Sequence, residues 1–367
     1  MIEKTGTQEN KTNLLTTKTH YEILDGLRGV AAIAVLIFHF MEFVEPDYSK
    51  NFIAHGYLAV DFFFCLSGFV IAYAYDNRIE KIGVIQFFKL RLIRLQPLVV
   101  IGAILGLITF LFDPFVNFYA AKGLGKTLLM FFSAALLIPC PTMPERYFNL
   151  FDFNPPTWSL FWEYVANIFY ALLLIKIRNK ILWCLTIIAM IILWYAAKHY
   201  GNLSAGWAGN NFWGGGARVF YSFLAGILLY RSKWMIKSGL GFIPVSILLL
   251  IVFMVPYIDK INWITEPLLV IFILPLIVAL GAGAKLRSAF KKLCNFLGEI
   301  SYPLYMIHYP FLWVFYSYIQ VHKPAMNQLK ILVPVLIILL VLLAYIIMKF
   351  IDIPVRKYLK NKMIKSL

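Results

Sequence analysis

The chain has 367 residues, of which 61% are hydrophobic, 17% aromatic and only 14% charged, and its mean hydropathy is +0.76. Soluble globular chains carry about a quarter charged residues, so this composition excludes a soluble enzyme and defines an integral membrane protein. The 34 Lys and Arg against 18 Asp and Glu leave a formal net charge of +16, which in such a protein reads as base gathered in cytoplasmic loops, not as a nucleic-acid surface.

Residues 1–22 are polar and carry Lys4, Lys11 and Lys18. They show no short apolar core before a small-residue cleavage site, so no removable signal peptide is expected. The apolar runs that follow are rich in Leu, Ile and Phe without alternation, which predicts helices and not barrel strands. Ten spans are expected, at about 28–44, 58–76, 94–112, 158–176, 181–197, 217–231, 241–257, 265–283, 301–319 and 329–351. A shorter apolar stretch, 127–139, ends in "PCPTMP" and is expected to be re-entrant or interfacial. With a cytoplasmic amino terminus, Lys and Arg concentrate in 77–93, 177–180, 232–240, 284–300 and the tail, while the opposite loops are poor in base. The positive-inside rule then puts both termini in the cytoplasm. The expected organisation is a polar segment (1–22), one transmembrane domain (23–352) with an external or re-entrant segment at 113–157, and a basic tail (353–367).

Ionisable groups in a bilayer are costly and mark candidate sites. In "YEILDGLRGVAAIAVLIFHF", Arg28 and His39 are 11 residues apart, which on a helix leaves only about 20° between them and a rise of about 16 Å. Asp25, Arg28 and His39 thus share a stripe, with small residues beside it for close packing or a thin ligand. A neutral imidazole at that depth can act as general base or nucleophile. In the second span, Asp61 is expected to orient a histidine or hold a polar acceptor, and Ser67 to bond a carbonyl of its own helix. In "FFKLRLIRLQP", Arg91 and Arg94 share a face, as topology signals or as a phosphate fork. In "PPTWSLFWEYVANIFY", Trp158 opens a helix on which Glu163 and Asn167 are one turn apart. Glu163 is expected near the outer side, with His39, a base or a sugar hydroxyl as partner. In "GEISYPLYMIHYPFL", Ser301, Tyr305 and His308 share a face, and His308 either lines the same cavity or makes a structural hydrogen bond. Cys65, Cys140, Cys184 and Cys294 are scattered without metal-ligand spacing, and no metal is expected.

Five motifs, "LDGLRGVAAIAVLIFHF", "GYLAVDFFFCLSGFVI", "RLIRLQP", "WSLFWEYVANIFY" and "ISYPLYMIHYPFL", occur in order across residues 23–312. Together they resemble the acyltransferase-3 family of bacterial membrane O-acyltransferases. The resemblance implies a bundle of about ten transmembrane helices in the bacterial cytoplasmic (inner) membrane. It implies transfer of an acyl group, often acetyl, from cytoplasmic acyl-CoA to a hydroxyl of a glycan or other acceptor on the far side. It maps His39 onto the family's catalytic histidine, Arg28, Arg91 and Arg94 onto acyl-CoA contacts, and Glu163 onto its acid after "WSL". Asp61 or Glu163 would orient His39 or the sugar, and Asp25, Ser67, Trp158, Asn167, Tyr305 and His308 would line the cavity. The pattern matches stand-alone members, so no fused serine-esterase domain is expected after Leu367. Self-association into a homo-oligomer is left open. The rival expectation is a proton-coupled transporter using His39, Glu163 and His308 as a relay; the absence of a clear internal repeat argues against it.

Overall fold

The computed structural model describes residues 21–363; most of the 1–22 segment and the last four residues of the tail lie outside them. The described residues fold as an all-α bundle. Its helices are α1 (Glu22–Val44), α2 (Ala59–Tyr75), α3 (Val84–Leu111), α4 (Phe118–Leu136), α5 (Thr157–Leu172) and α6 (Asn179–Tyr200). They continue with α7 (Phe212–Arg231), α8 (Phe242–Phe253), α9 (Asn262–Gly283), α10 (Ser288–His322) and α11 (Met326–Met363).

Each expected span falls on one of these helices. Seven, namely α1, α2 with its leading turn, α3, α6, α7 with its leading turn, α9 and α11, are long and apolar enough to cross a membrane. Their outward residues remain apolar: Ile187, Ile188 and Ile191 on α6 and Ile331, Ile338 and Leu342 on α11 are all exposed. Such a surface is unfavourable in water and natural against lipid tails.

Two helices differ instructively from expectation. α3 begins at Val84, ten residues before the expected 94, because the basic stretch "FFKLRLIR" continues the helix ahead of the apolar run. The 127–139 stretch falls in α4 as far as Leu136 and leaves it at Leu137; α4 breaks at Gly123 (φ 72°, ψ 175°) and packs along α3. The expected tail is also helical through Met363, as the end of α11.

The core is organised by two close pairs. α1 runs beside α10, the most extensive pairing among the described residues, and Gly29 lies directly on Leu297. α2 runs beside α7, where Gly68 faces the Phe223 carbonyl and Gly226 the Cys65 carbonyl. A Cβ at either position would collide with backbone, so the small residues set the approach as they do in membrane bundles. The loops after α1, α4, α6 and α8 meet at one end: Asn149 bridges to Ala208, His55 N–H donates to the Phe253 carbonyl, and Asn202 donates to Tyr257.

Candidate active site

α1 and α10 run parallel, so the polar stripe of each meets the other in register. Arg28 Nε donates to Ser301 Oγ at 2.8 Å and its Nη2 to the Gly298 carbonyl at 2.6 Å. Asp25 lies 3.3 Å from the same guanidinium. Eleven residues along α1, His39 stacks on His308, with ring centroids 5.4 Å apart.

At the arginine end a cavity of about 520 Å³ opens between α1, α2, α3, α5, α10 and the end of α11. Asp25, Arg28, Ser67, Arg91, Arg94, Glu163 and Tyr305 all line it. Arg91 donates to Glu163 Oε1 at 2.7 Å, and Ser67 donates to the same oxygen at 2.6 Å. Ser67 therefore bonds a carboxylate across the cavity and not the expected carbonyl of its own helix. Arg28, Arg91 and Arg356 each face a carboxylate. Arg94 has no hydrogen bond or ion pair among the described residues and is exposed to the cavity. Several buried lining atoms also have no partner among the described residues, including Arg91 Nε and Asn295 Oδ1. An uncommitted guanidinium beside orphaned donors and acceptors suits a polyanion that also carries N–H or O–H groups.

The cavity ends near Tyr305, whose hydroxyl is 2.8 Å from Ser159 Oγ and whose ring is 6.0 Å from that of His308. His308 is 1% exposed; its Nδ1–H donates to the Leu304 carbonyl, and its Nε2 has no partner among the described residues. Beyond it, His39 Nδ1 lies 2.5 Å from Glu42 Oε2, and Tyr48 donates to Glu42 Oε1 at 2.8 Å. With its Nδ1 proton held by the carboxylate, His39 keeps the Nε2 lone pair for an incoming proton. The His39 and Glu42 side chains are 19% and 24% exposed, so the pair is reachable. The segment between α4 and α5 covers this end. Arg146, fully buried, lies over the rings of Phe110, Phe118 and Trp313, and Tyr147 meets Tyr316 hydroxyl to hydroxyl at 2.9 Å.

The acid beside His39 is thus Glu42, one turn further along α1, which the sequence reading did not single out. Asp61 and Glu163 do not bond His39. Asp61 is fully buried and gripped by Arg218, with Nη2 to Oδ2 at 2.6 Å and Nε close to both oxygens. The same guanidinium donates to the Tyr57 and Ala205 carbonyls and lies over Trp158. Glu163, expected near the outer side, lies among the arginines. Trp158, Asn167, Asp61, His39 and His308 do not line the arginine-end cavity. Asn167 is fully buried, and neither amide atom has a partner among the described residues. Arg218 had a readable signal: a buried Asp in one span requires a base in another.

The acyltransferase-3 family model, described as an acyltransferase domain, matches residues 21–349, and the chain belongs to this family. An all-α membrane bundle of an acyltransferase is therefore the class that fold and match define. Among curated proteins the chain is similar to protein 2 in the picA locus of Rhizobium radiobacter, at 35% identity over 41% of this chain and 80% of that protein. It is similar to a putative O-acetyltransferase of Staphylococcus aureus strain COL, at 27% identity over 80% of this chain and 51% of that protein. It is also similar to the O-acetyltransferase OatA of S. aureus strain NCTC 8325, at 26% identity over 91% of this chain and 57% of that protein. The chain thus spans about half the length of those O-acetyltransferases. No solved structure matches.

Proposed function

We propose that the protein is a membrane O-acyltransferase that moves an acyl group, most simply acetyl, from acyl-CoA entering at the arginine end to a hydroxyl presented at the histidine end. The observation that carries this reading is the shared α1–α10 stripe. One end holds an arginine-lined cavity, the other an imidazole oriented by a carboxylate. The family match and the O-acetyltransferase names of the relatives support the reaction class. In this reading the arginine end faces the cytoplasm and the acceptor is a cell-envelope or exported glycan.

In this mechanism Arg94, with Arg28 and Arg91 beside it, holds the donor phosphates, and the acyl arm extends past Ser159 and Tyr305 toward His39. His39 Nε2 takes the proton of the acceptor hydroxyl as its oxygen attacks the thioester carbonyl. The new C–O bond forms, the C–S bond breaks, and the proton held by His39 passes to the departing CoA sulfur. Glu42 keeps the imidazole in the required tautomer and stabilises its charged form.

Membranes containing the protein, incubated with acetyl-labelled acetyl-CoA, test the reading. Label is expected in a glycan fraction together with free CoA. Intact CoA and gradient-dependent movement of a polar solute would instead identify a transporter.

A further inference from the structure

The end of the last helix is largely exposed, but its first turn does more than its charges suggest. α11 widens into a π turn at Met348–Asp352. Pro354 follows, and without an N–H it cannot donate to the Phe350 carbonyl four residues back. The helix resumes at Ile353 and lies against α3, the helix that carries Arg91 and Arg94. Met348, Asp352, Ile353 and Arg356 thereby become part of the cavity wall.

Arg356 Nη2 meets Asp352 Oδ2 at 2.7 Å. A surface pair at this spacing leaves its remaining polar atoms in water. Here Asp352 is 1% exposed, and both Arg356 Nε and Asp352 Oδ1 are shielded without a partner among the described residues. Asn295 Oδ1, on the α10 wall of the same cavity, is in the same position. With Arg91 Nε, two orphaned donors and two orphaned acceptors among the described residues therefore share a cavity with the uncommitted Arg94, which feels the charges of Arg28, Arg91 and Arg356.

We propose that Arg356 and Asp352 form a binding site for the nucleotide end of the acyl donor. Arg356 takes a phosphate oxygen through Nε, and Asp352 accepts from a ribose hydroxyl or the adenine amino group. A nucleotide supplies both complements at once, which inorganic phosphate or a lipid phosphate alone does not. The inference rests on the acyl-CoA reading above and gives it a donor-specificity element on α11.

The test is binding of two probes, CoA and adenosine 3′,5′-bisphosphate, to the purified full chain in lipid nanodiscs by calorimetry. Thermal unfolding of each variant serves as the check on folding. R356A is expected to weaken both probes roughly 10–100-fold, as loss of a charge-assisted hydrogen bond does, with R356K restoring part of the loss. D352N is expected to weaken both probes while adenosine-free pyrophosphate binds as before. R356A or D352N that binds both probes like the wild type, or an R356A loss that R356K does not relieve and that follows a lowered unfolding temperature, overturns the assignment. Wild-type protein that binds neither probe overturns the acyl-CoA reading itself.

Discussion

His39 and His308 lie face to face, with ring centroids 5.4 Å apart and ring planes at 22°. His308 is fixed from below by its bond to the Leu304 carbonyl, so its ring is a rigid platform for that of His39, the base of the proposed mechanism. H39A is expected to lower acetyl transfer by about 10²–10⁴, the usual contribution of a positioned acid–base group, with normal amounts of protein in the membrane. H308F keeps an aromatic platform and should retain far more activity than H308A. Equal loss in both variants would show that the His308 nitrogens, not its face, are needed.

Glu42 bonds His39 Nδ1, whereas Glu163 bonds Arg91. E42Q is therefore expected to lower kcat by about 10² and leave the KM for acetyl-CoA unchanged. E163Q should move the donor KM instead. Initial-rate kinetics with the two variants side by side check this; the reverse split would relocate the orienting acid.

The arginines separate in the same way. R94A removes a guanidinium with no partner among the described residues, so it should raise donor KM roughly 10–100-fold without loss of folded protein. R91A strands the buried Glu163 carboxylate, a change that costs about 3–5 kcal/mol when a buried pair is broken. Its membrane abundance should fall and be restored in the R91A/E163Q double variant, as read by detergent-resistant monomer on fluorescence size exclusion.

Much of this arrangement was legible in the sequence, for a definite reason. Arg28 and His39, and likewise Ser301 and His308, repeat at helical spacing, so each pair had to share a face, and the two faces meet. What periodicity does not encode is depth and tilt across helices. Glu163 was therefore expected near the outer side, but α5 brings it to Arg91. Glu42 stands three residues from His39, yet nothing in the spacing ranked it above Asp61, whose partner Arg218 lies 157 residues away. The π turn in α11 left no hydropathy signature, because widening one turn changes no residue type, so Arg356 read as part of a basic tail.

Asp61 and Arg218 are 0% and 1% exposed, and the guanidinium also ties the Tyr57 and Ala205 carbonyls. This is a clamp among α2, α7 and the loop before α7, and neither of its side chains bonds His39. D61A should cost about 3–5 kcal/mol, visible as a lower unfolding temperature. The surviving folded fraction should keep the wild-type donor KM. A changed KM at unchanged stability would give Asp61 a direct role in the site.

The cover over the histidine end carries a pH dependence. Burial pushes the Asp152 carboxyl up to about 6, against the opposing pull of its bonds from Thr142. Its folded value lies above the usual carboxylate value of about 3.9, so the stability it contributes is present below about pH 4 and lost as pH rises through about 6. The unfolding temperature should therefore drop between about pH 4 and 6, and D152N should flatten that part of the curve. A wild-type curve that is flat across this window would remove Asp152 from the account.

The parallel contact of α1 with α10 has one more consequence. Because Arg28 is pinned to Ser301 and His39 is seated on His308, the interval between them is a fixed length of helix, about 16 Å. In the proposed mechanism the bundle is in effect a ruler, accepting donors whose arm fits that interval and holding the carbonyl of a mismatched one short of the imidazole or beyond it. Inserting a single alanine between Arg28 and His39 would lengthen the ruler by only about 1.5 Å but turn the far mark by about 100°, away from His308. The gauge is therefore set by phase more strictly than by distance.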